Sequence, residues 1–181
     1  EAFHQSLPRL LKRKHNQVLS SLVLSKQITI LEGLRRSGKT TVLRELQAAL
    51  LSSCERKQIL YIDLEDHRFI NSLGLTLVQE SLALYQERVA ASGQIYVFIE
   101  GINVLADDER RELSDWMLSV PKIKFILSYS GQGAKQYFTA ASSYRIYPLS
   151  YSEWVIATQQ SFGALSFAEY QQKGGLALLN G

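Results

Sequence analysis

Short apolar runs alternate with stretches of helical periodicity along the whole chain. Residues 27–32 (QITILE) are a brief, partly β-branched apolar run that leads into Gly33. From Thr40 to Leu51 the apolar positions Val42, Leu43, Leu46 and Leu50 then recur at helical spacing. A second strand is predicted over residues 58–64, ending at Glu65-Asp66, and a helix over 76–89 that carries Leu77, Leu82, Leu84 and Tyr85. Residues 95–99 form the most apolar strand. Asp107 and Asp108 are placed to cap a helix running to Ser119, with Leu113, Trp116 and Met117 inward. A strand over 124–129, a short polar helix from Gln132 and a last strand over 143–149 follow. Helices from Ser152 and over 167–172 complete the pattern, the second stopped by Gly174-Gly175.

Strands that read as continuous apolar runs are buried on both faces. Their alternation with helices predicts a three-layer α/β fold with a mainly parallel five-stranded sheet. No internal repeat or low-complexity segment interrupts it. Ligands of such open sheets bind at the carboxyl ends of the strands. Those ends are Gly33, Glu65-Asp66, Glu100 and Ser128.

Composition narrows the class. The 181 residues are 46% hydrophobic and 20% charged, enough apolar surface for one packed core and too little charge for a disordered chain. No run approaches the roughly 18 apolar residues of a membrane span. The single cysteine, Cys54, excludes an internal disulfide framework, and no signal-peptide pattern is visible, so the cytoplasm is the expected compartment. The chain begins at Glu1 and its one methionine is Met117, which suggests a piece of a longer protein. Net charge is +3, but Arg9, Lys12, Arg13, Lys14 and Lys26 stand against Glu1 alone in residues 1–26. That basic segment suits either a nucleic-acid backbone or a solvated helix face.

The chemistry concentrates in Gly33-Leu34-Arg35-Arg36-Ser37-Gly38-Lys39-Thr40, a glycine, four residues, then glycine, lysine and a hydroxyl residue, between a strand and a helix. This is the P-loop, or Walker A, pattern, which arises by chance roughly once in 150 chains of this length at ordinary residue frequencies. Glycines let backbone N–H groups converge on phosphates, and the helix start adds its unsatisfied N–H groups and dipole. Gly33 to Thr41 are therefore the candidate nucleotide-binding residues, with Lys39 on the β- and γ-phosphates and Thr40 on Mg²⁺. Such a site also needs an acid at the end of a buried strand to order the metal's shell, and Glu100 after IYVFI supplies it. Gly101 follows, so the usual second acid is missing.

With these residues in place, the chain resembles the AAA+ class of P-loop ATPases. In particular it is similar to the bacterial and archaeal predicted ATPases that couple an N-terminal ATPase core to a C-terminal nuclease-like domain. The resemblance is carried by GLRRSGKTT, YIDLEDHRF, IYVFIEGINVL, FILSYSG, YRIYPLSYSEW and EYQQKGGLA, in that order and spacing. It implies ATP and Mg²⁺ as ligands, Thr40 and Glu100 on the metal, Ser128 as the polar sensor and Arg145 as an arginine acting on the nucleotide or a neighbour. It also implies protein partners or self-assembly through the full-length protein.

The family pattern has aspartate then glutamate where this chain has Glu100-Gly101. The expected function is thus an ATP-binding module whose hydrolysis to ADP is weak. The alternative is a regulatory module that binds nucleotide without turning it over, and a small-molecule or nucleotide kinase is a more distant one, since no arginine-bearing lid is visible. An acid restored at position 101 is expected to raise turnover, and Glu65 and Asp66 are the nearest alternative acids. The expected organisation is a basic segment over 1–26, an ATPase core over 27–150 and a helical tail over 151–181. His4, His15 and His67 lack zinc-site spacing, and Cys54 has no nucleophile's setting.

Overall fold

The computed structural model describes Ser21, Val23 and residues 26–69, 74–89 and 93–173. Residues 1–20, with Arg9, Lys12, Arg13, Lys14, His4 and His15, and the Gly174-Gly175 stop lie outside the described residues. Five strands form one parallel sheet, β1 (Ile28–Gly33), β2 (Ile59–Asp63), β3 (Ile95–Glu100), β4 (Ile123–Ser130) and β5 (Ser142–Arg145), in the order β2-β3-β4-β1-β5. β1 is an interior strand, between β4 and β5, and is buried along its whole length.

Alternation along the strands sorts side chains into two cores. Ile28, Ile30, Val97, Ile99, Phe125 and Leu127 face one way, where α2 (Leu75–Val89) contributes Val78 and Leu82, and α3 (Asp107–Ser119) contributes Leu113 and Met117. Leu31, Phe98 and Ile126 face the other way, onto Val42, Leu43, Leu46 and Leu50 of α1 (Lys39–Leu50). Each such side chain contributes about 1.5–3 kcal/mol on full burial. The same apolar runs therefore fix both helix layers against the sheet. Leu84 is 46% exposed, because the stripe of α2 that meets the sheet runs through Val78 and Leu82.

Three differences from expectation have local causes. Ala106, not an aspartate, occupies the N-cap of α3, where the Glu109 carboxylate accepts from the Ala106 N–H at 2.8 Å. Asp107 and Asp108 sit inside the first turn, where they favour the positive end of the helix dipole. β5 ends at Arg145 rather than near 149: Ile146 N–H still donates to the Glu32 carbonyl at 2.6 Å, but β1 then turns away at Gly33 and Pro148 has no N–H to pair. The polar helix from Gln132 shrinks to a single 3₁₀ turn over Ala134–Gln136.

Beyond the sheet, α4 (Tyr151–Ala157) starts at Ser150, whose hydroxyl and Glu153 form a capping box, and it pairs with α5 (Ala164–Lys173). Trp154 is fully buried and packs edge-on to Tyr170, while Tyr151 contacts Phe162, Phe167 and Tyr170. No helix among the described residues is long and apolar enough to cross a membrane.

Candidate functional site

The chain leaves β1, runs out to the edge strand β2, returns through β3 to β4 beside β1, and crosses to β5 on the other flank. The reversal opens a crevice at the strand ends. A cavity of about 340 Å³ lies there, bordered by Arg35, Arg36 and Gly38 to Thr41 on one side and by Glu65, Glu100, Gly101, Ser128 and Ser130 on the other.

The loop between β1 and α1 has the backbone an anion needs. Arg36 (φ 65°) and Gly38 (φ 96°) are left-handed, the kind of reversal that builds a concavity of N–H groups. α1 starts at Gly38 with no side-chain cap and no acid of its own in its first turn, which leaves its first N–H groups without a side-chain cap at that positive end. Gly33 is required by packing: a Cβ there would lie 2.2 Å from the Ile146 carbonyl oxygen.

Lys39 is only 7% exposed, and its Nζ donates to the carbonyls of Gly33 (3.0 Å) and Leu34 (2.8 Å). Burial pushes its pKa down; Glu100 and Glu65 pull it back up, and Arg35 adds to the fall. An ammonium held near carbonyls and lacking a full counter-charge is poised for an anion.

Glu100 ends β3 and its carboxylate accepts from the hydroxyls of Thr40 on α1 and Tyr61 on β2. The Tyr61 hydroxyl has its pKa raised, first by burial and then by its hydrogen bond to Glu100, so it stays a donor. Thr40 and Glu100 thus bring a hydroxyl and a carboxylate together across the cavity floor. Hard oxygens of this kind suit Mg²⁺, which takes one or two carboxylates and completes its shell with water and phosphate. Among the described residues no group of three or more His, Cys, Asp or Glu could hold a metal by itself.

Ser128, buried to 3% exposure, accepts from the Gly101 N–H at 3.4 Å and so stands between β3 and β4 at the cavity wall. Asn103 ties the same two strands, donating to the Ser130 carbonyl (2.9 Å) and accepting from its N–H (2.6 Å). Arg110, nearly buried, holds the connecting turn by donating to the carbonyls of Ile102 (3.2 Å) and Asn103 (2.8 Å), with its guanidinium 5.0 Å from the Tyr137 ring centre.

Of the residues singled out in the sequence, Arg35, Arg36, Gly38, Lys39, Thr40, Thr41, Glu100 and Ser128 meet at the cavity. Gly33 and Ser37 are buried, and Leu34, 61% exposed, contributes its carbonyl to Lys39. Arg145 does not border the cavity; it is exposed on β5 and donates to Gln132 at 3.3 Å. Asp66 is engaged by Arg68 at 2.5 Å, and Cys54 has its thiol pKa raised by burial, which keeps it a thiol.

Tyr61 and Asn103 escape a reading of the sequence. Tyr61 acts through a partner 39 residues away and Asn103 through one 27 away, and the segments that contain them, YIDLEDHRF and IYVFIEGINVL, give neither residue a role by themselves. Position 101 also differs from expectation as a place for a second acid. Gly101 is left-handed (φ 78°), and a Cβ there would sit 2.6 Å from Glu65 Cγ and 3.1 Å from Glu65 N. The space that a second acid's stem would need is already filled by Glu65.

Residues 25–155 match the family described as AAA domain. No curated protein matches the chain in sequence. Among solved structures the chain is similar to a Walker-type ATPase of Pyrococcus abyssi, at 12% identity and a TM-score of 0.52, over 91% of this chain and 63% of that one. At that identity the likeness is one of fold, and the chain spans less than two thirds of that ATPase's length.

Proposed function

The chain belongs to the AAA domain family, and on that premise we propose that it is a nucleotide-binding ATPase module that takes ATP with Mg²⁺ in the cavity at the strand ends. The observation that carries this reading is the convergence on one cavity of the uncapped start of α1, the Lys39 amine and the Thr40–Glu100 pair. Lys39 exchanges its carbonyl partners for oxygens of the β- and γ-phosphates, a stronger, charge-assisted pairing. Thr40 and Glu100 would hold Mg²⁺. When bound, the ion offsets charge on the phosphate oxygens. Tyr61 holds the second Glu100 oxygen, and Ser128 is placed to sense the phosphate end through the Gly101 backbone. Arg145 is exposed and borders no part of its own cavity, which supports a role toward nucleotide held by a neighbouring copy.

Adenine is the proposed base, since the chain contains no guanine-reading Asn-Lys-x-Asp sequence. A second reading, in which occupancy rather than turnover sets conformation, is favoured by Gly101 standing where a second acid is expected. Calorimetric titration tests the central claim. Lys39→Ala is expected to weaken ATP binding by about 1.5–3 kcal/mol, roughly 10- to 150-fold, with the fold intact and ATP preferred to GTP in the parent. Equal affinity in mutant and parent overturns it.

A further inference from the structure

We propose that Glu65 is the carboxylate that activates water for ATP hydrolysis, supplied from β2 rather than from the strand that carries Glu100. The proposal rests on the ATP-binding reading above and adds a catalytic residue to it.

Three observations carry it. First, the backbone joins the two strand ends directly: Asp63 is in register with Glu100, and the Leu64 N–H donates to the Glu100 carbonyl at 3.0 Å. Glu65 therefore emerges beside Gly101 although 36 positions separate them in sequence. Second, the Glu65 stem fills the volume above Gly101, with Cγ 2.6 Å from where a Cβ at 101 would stand. Glu65 thus borders the cavity from the place where a side chain on position 101 would start. Glycine at 101 is what admits it. Third, Glu65 borders the same cavity as Lys39, Thr40, Glu100 and Ser128, and its charge is felt at the Lys39 amine.

The other acids near the strand ends are engaged elsewhere. Glu100 holds two hydroxyls, Asp66 is clasped by Arg68, and the Asp63 Oδ1 accepts from the Glu65 N–H at 2.9 Å, a turn that orients residue 65. Glu65 pairs with Arg35 at 3.9 Å, whose side chain is 84% exposed, and its own side chain is 46% exposed, so water reaches it.

In the step, a water oxygen forms a bond to the γ-phosphorus while the bond from that phosphorus to the β,γ-bridging oxygen breaks. The electron pair leaves with ADP. Glu65 accepts the proton that the water gives up and releases it to the inorganic phosphate or to solvent.

The test measures single-turnover hydrolysis of ATP with Mg²⁺ beside equilibrium ATP binding and a urea unfolding curve. Glu65→Gln is expected to slow hydrolysis at least about 100-fold, the usual share of a positioned acid-base group. Its ATP affinity stays within about threefold of the parent and its unfolding midpoint is unchanged. Glu65→Asp, one methylene shorter, retains binding and loses most of the rate, and Asp66→Asn keeps the parent rate. A Glu65→Gln rate within threefold of the parent overturns the proposal. A parent that binds ATP and does not hydrolyse it also overturns it, leaving the binding reading intact; a parent that fails to bind ATP overturns both.

Discussion

Alanine at position 101 tests the geometry on which the strand-end chemistry depends. A non-glycine residue in the left-handed region costs about 1–2 kcal/mol, and Gly101 sits there at φ 78° and ψ 25°. The new Cβ would lie 2.6 Å from Glu65 Cγ, a contact relieved by turning the half-exposed Glu65 side chain off its rotamer, at about 0.5–1.5 kcal/mol. The 3.1 Å approach to the Glu65 backbone nitrogen is harder to relieve. Against these, alanine loses less chain entropy than glycine on folding, an offset of about 0.4–1 kcal/mol. The net destabilisation is about 1–3 kcal/mol. With a urea m-value of about 2 kcal/mol/M, the midpoint falls by about 0.5–1.5 M. Fluorescence of Trp116 and Trp154 reports the transition. Gly163→Ala is the control, because nothing lies within 4 Å of its added Cβ and its backbone is not left-handed. There the midpoint holds or rises. A Gly101→Ala midpoint within 0.2 M of the parent, roughly 0.4 kcal/mol at that slope, refutes the left-handed turn and the Glu65 contact together.

Two other outcomes probe the frame. Leu113→Ala, at a fully buried position between α3 and the sheet, lowers unfolding free energy by about 2–5 kcal/mol in urea, whereas Leu165→Ala, 89% exposed, changes it by under about 0.5 kcal/mol. The Asp66 carboxyl, held down to about 2 by hydrogen bonds from Arg68, titrates by NMR well below an ordinary aspartate. A depressed carboxylate contributes stability above its ordinary pKa of about 4 and loses it as pH falls toward 2, so Arg68→Ala returns the titration upward and removes that acid-side dependence.

The P-loop is legible in the sequence because all of it is contiguous. Gly33, Gly38, Lys39 and Thr40 are local, and the strand before them and the helix after them follow from short-range hydrophobic pattern alone. Glu100 is legible for the same reason, as the polar end of an apolar run. The sorting of Ile30 and Leu31 onto opposite cores follows from the two-residue period of a strand. What lies between elements is another matter. Strand order is a choice among packings that local pattern leaves equal in energy. That order puts β2 beside β3, and with it Tyr61 on Glu100 and Glu65 over Gly101, across separations of 39 and 36 residues. The same cause sets the length of β5, which ends where its neighbour β1 bends into the loop, and leaves Leu84 outside, because the buried face of α2 is whichever one the sheet meets. Residues 33–40 by themselves determine the loop and helix start proposed to hold an anion, since backbone N–H groups and a helix start are local physics. That Glu65, and not a side chain at position 101, occupies the space beside Glu100 was decided only by the tertiary structure, because two strand ends brought into register share one volume and the side chain that fills it excludes the other.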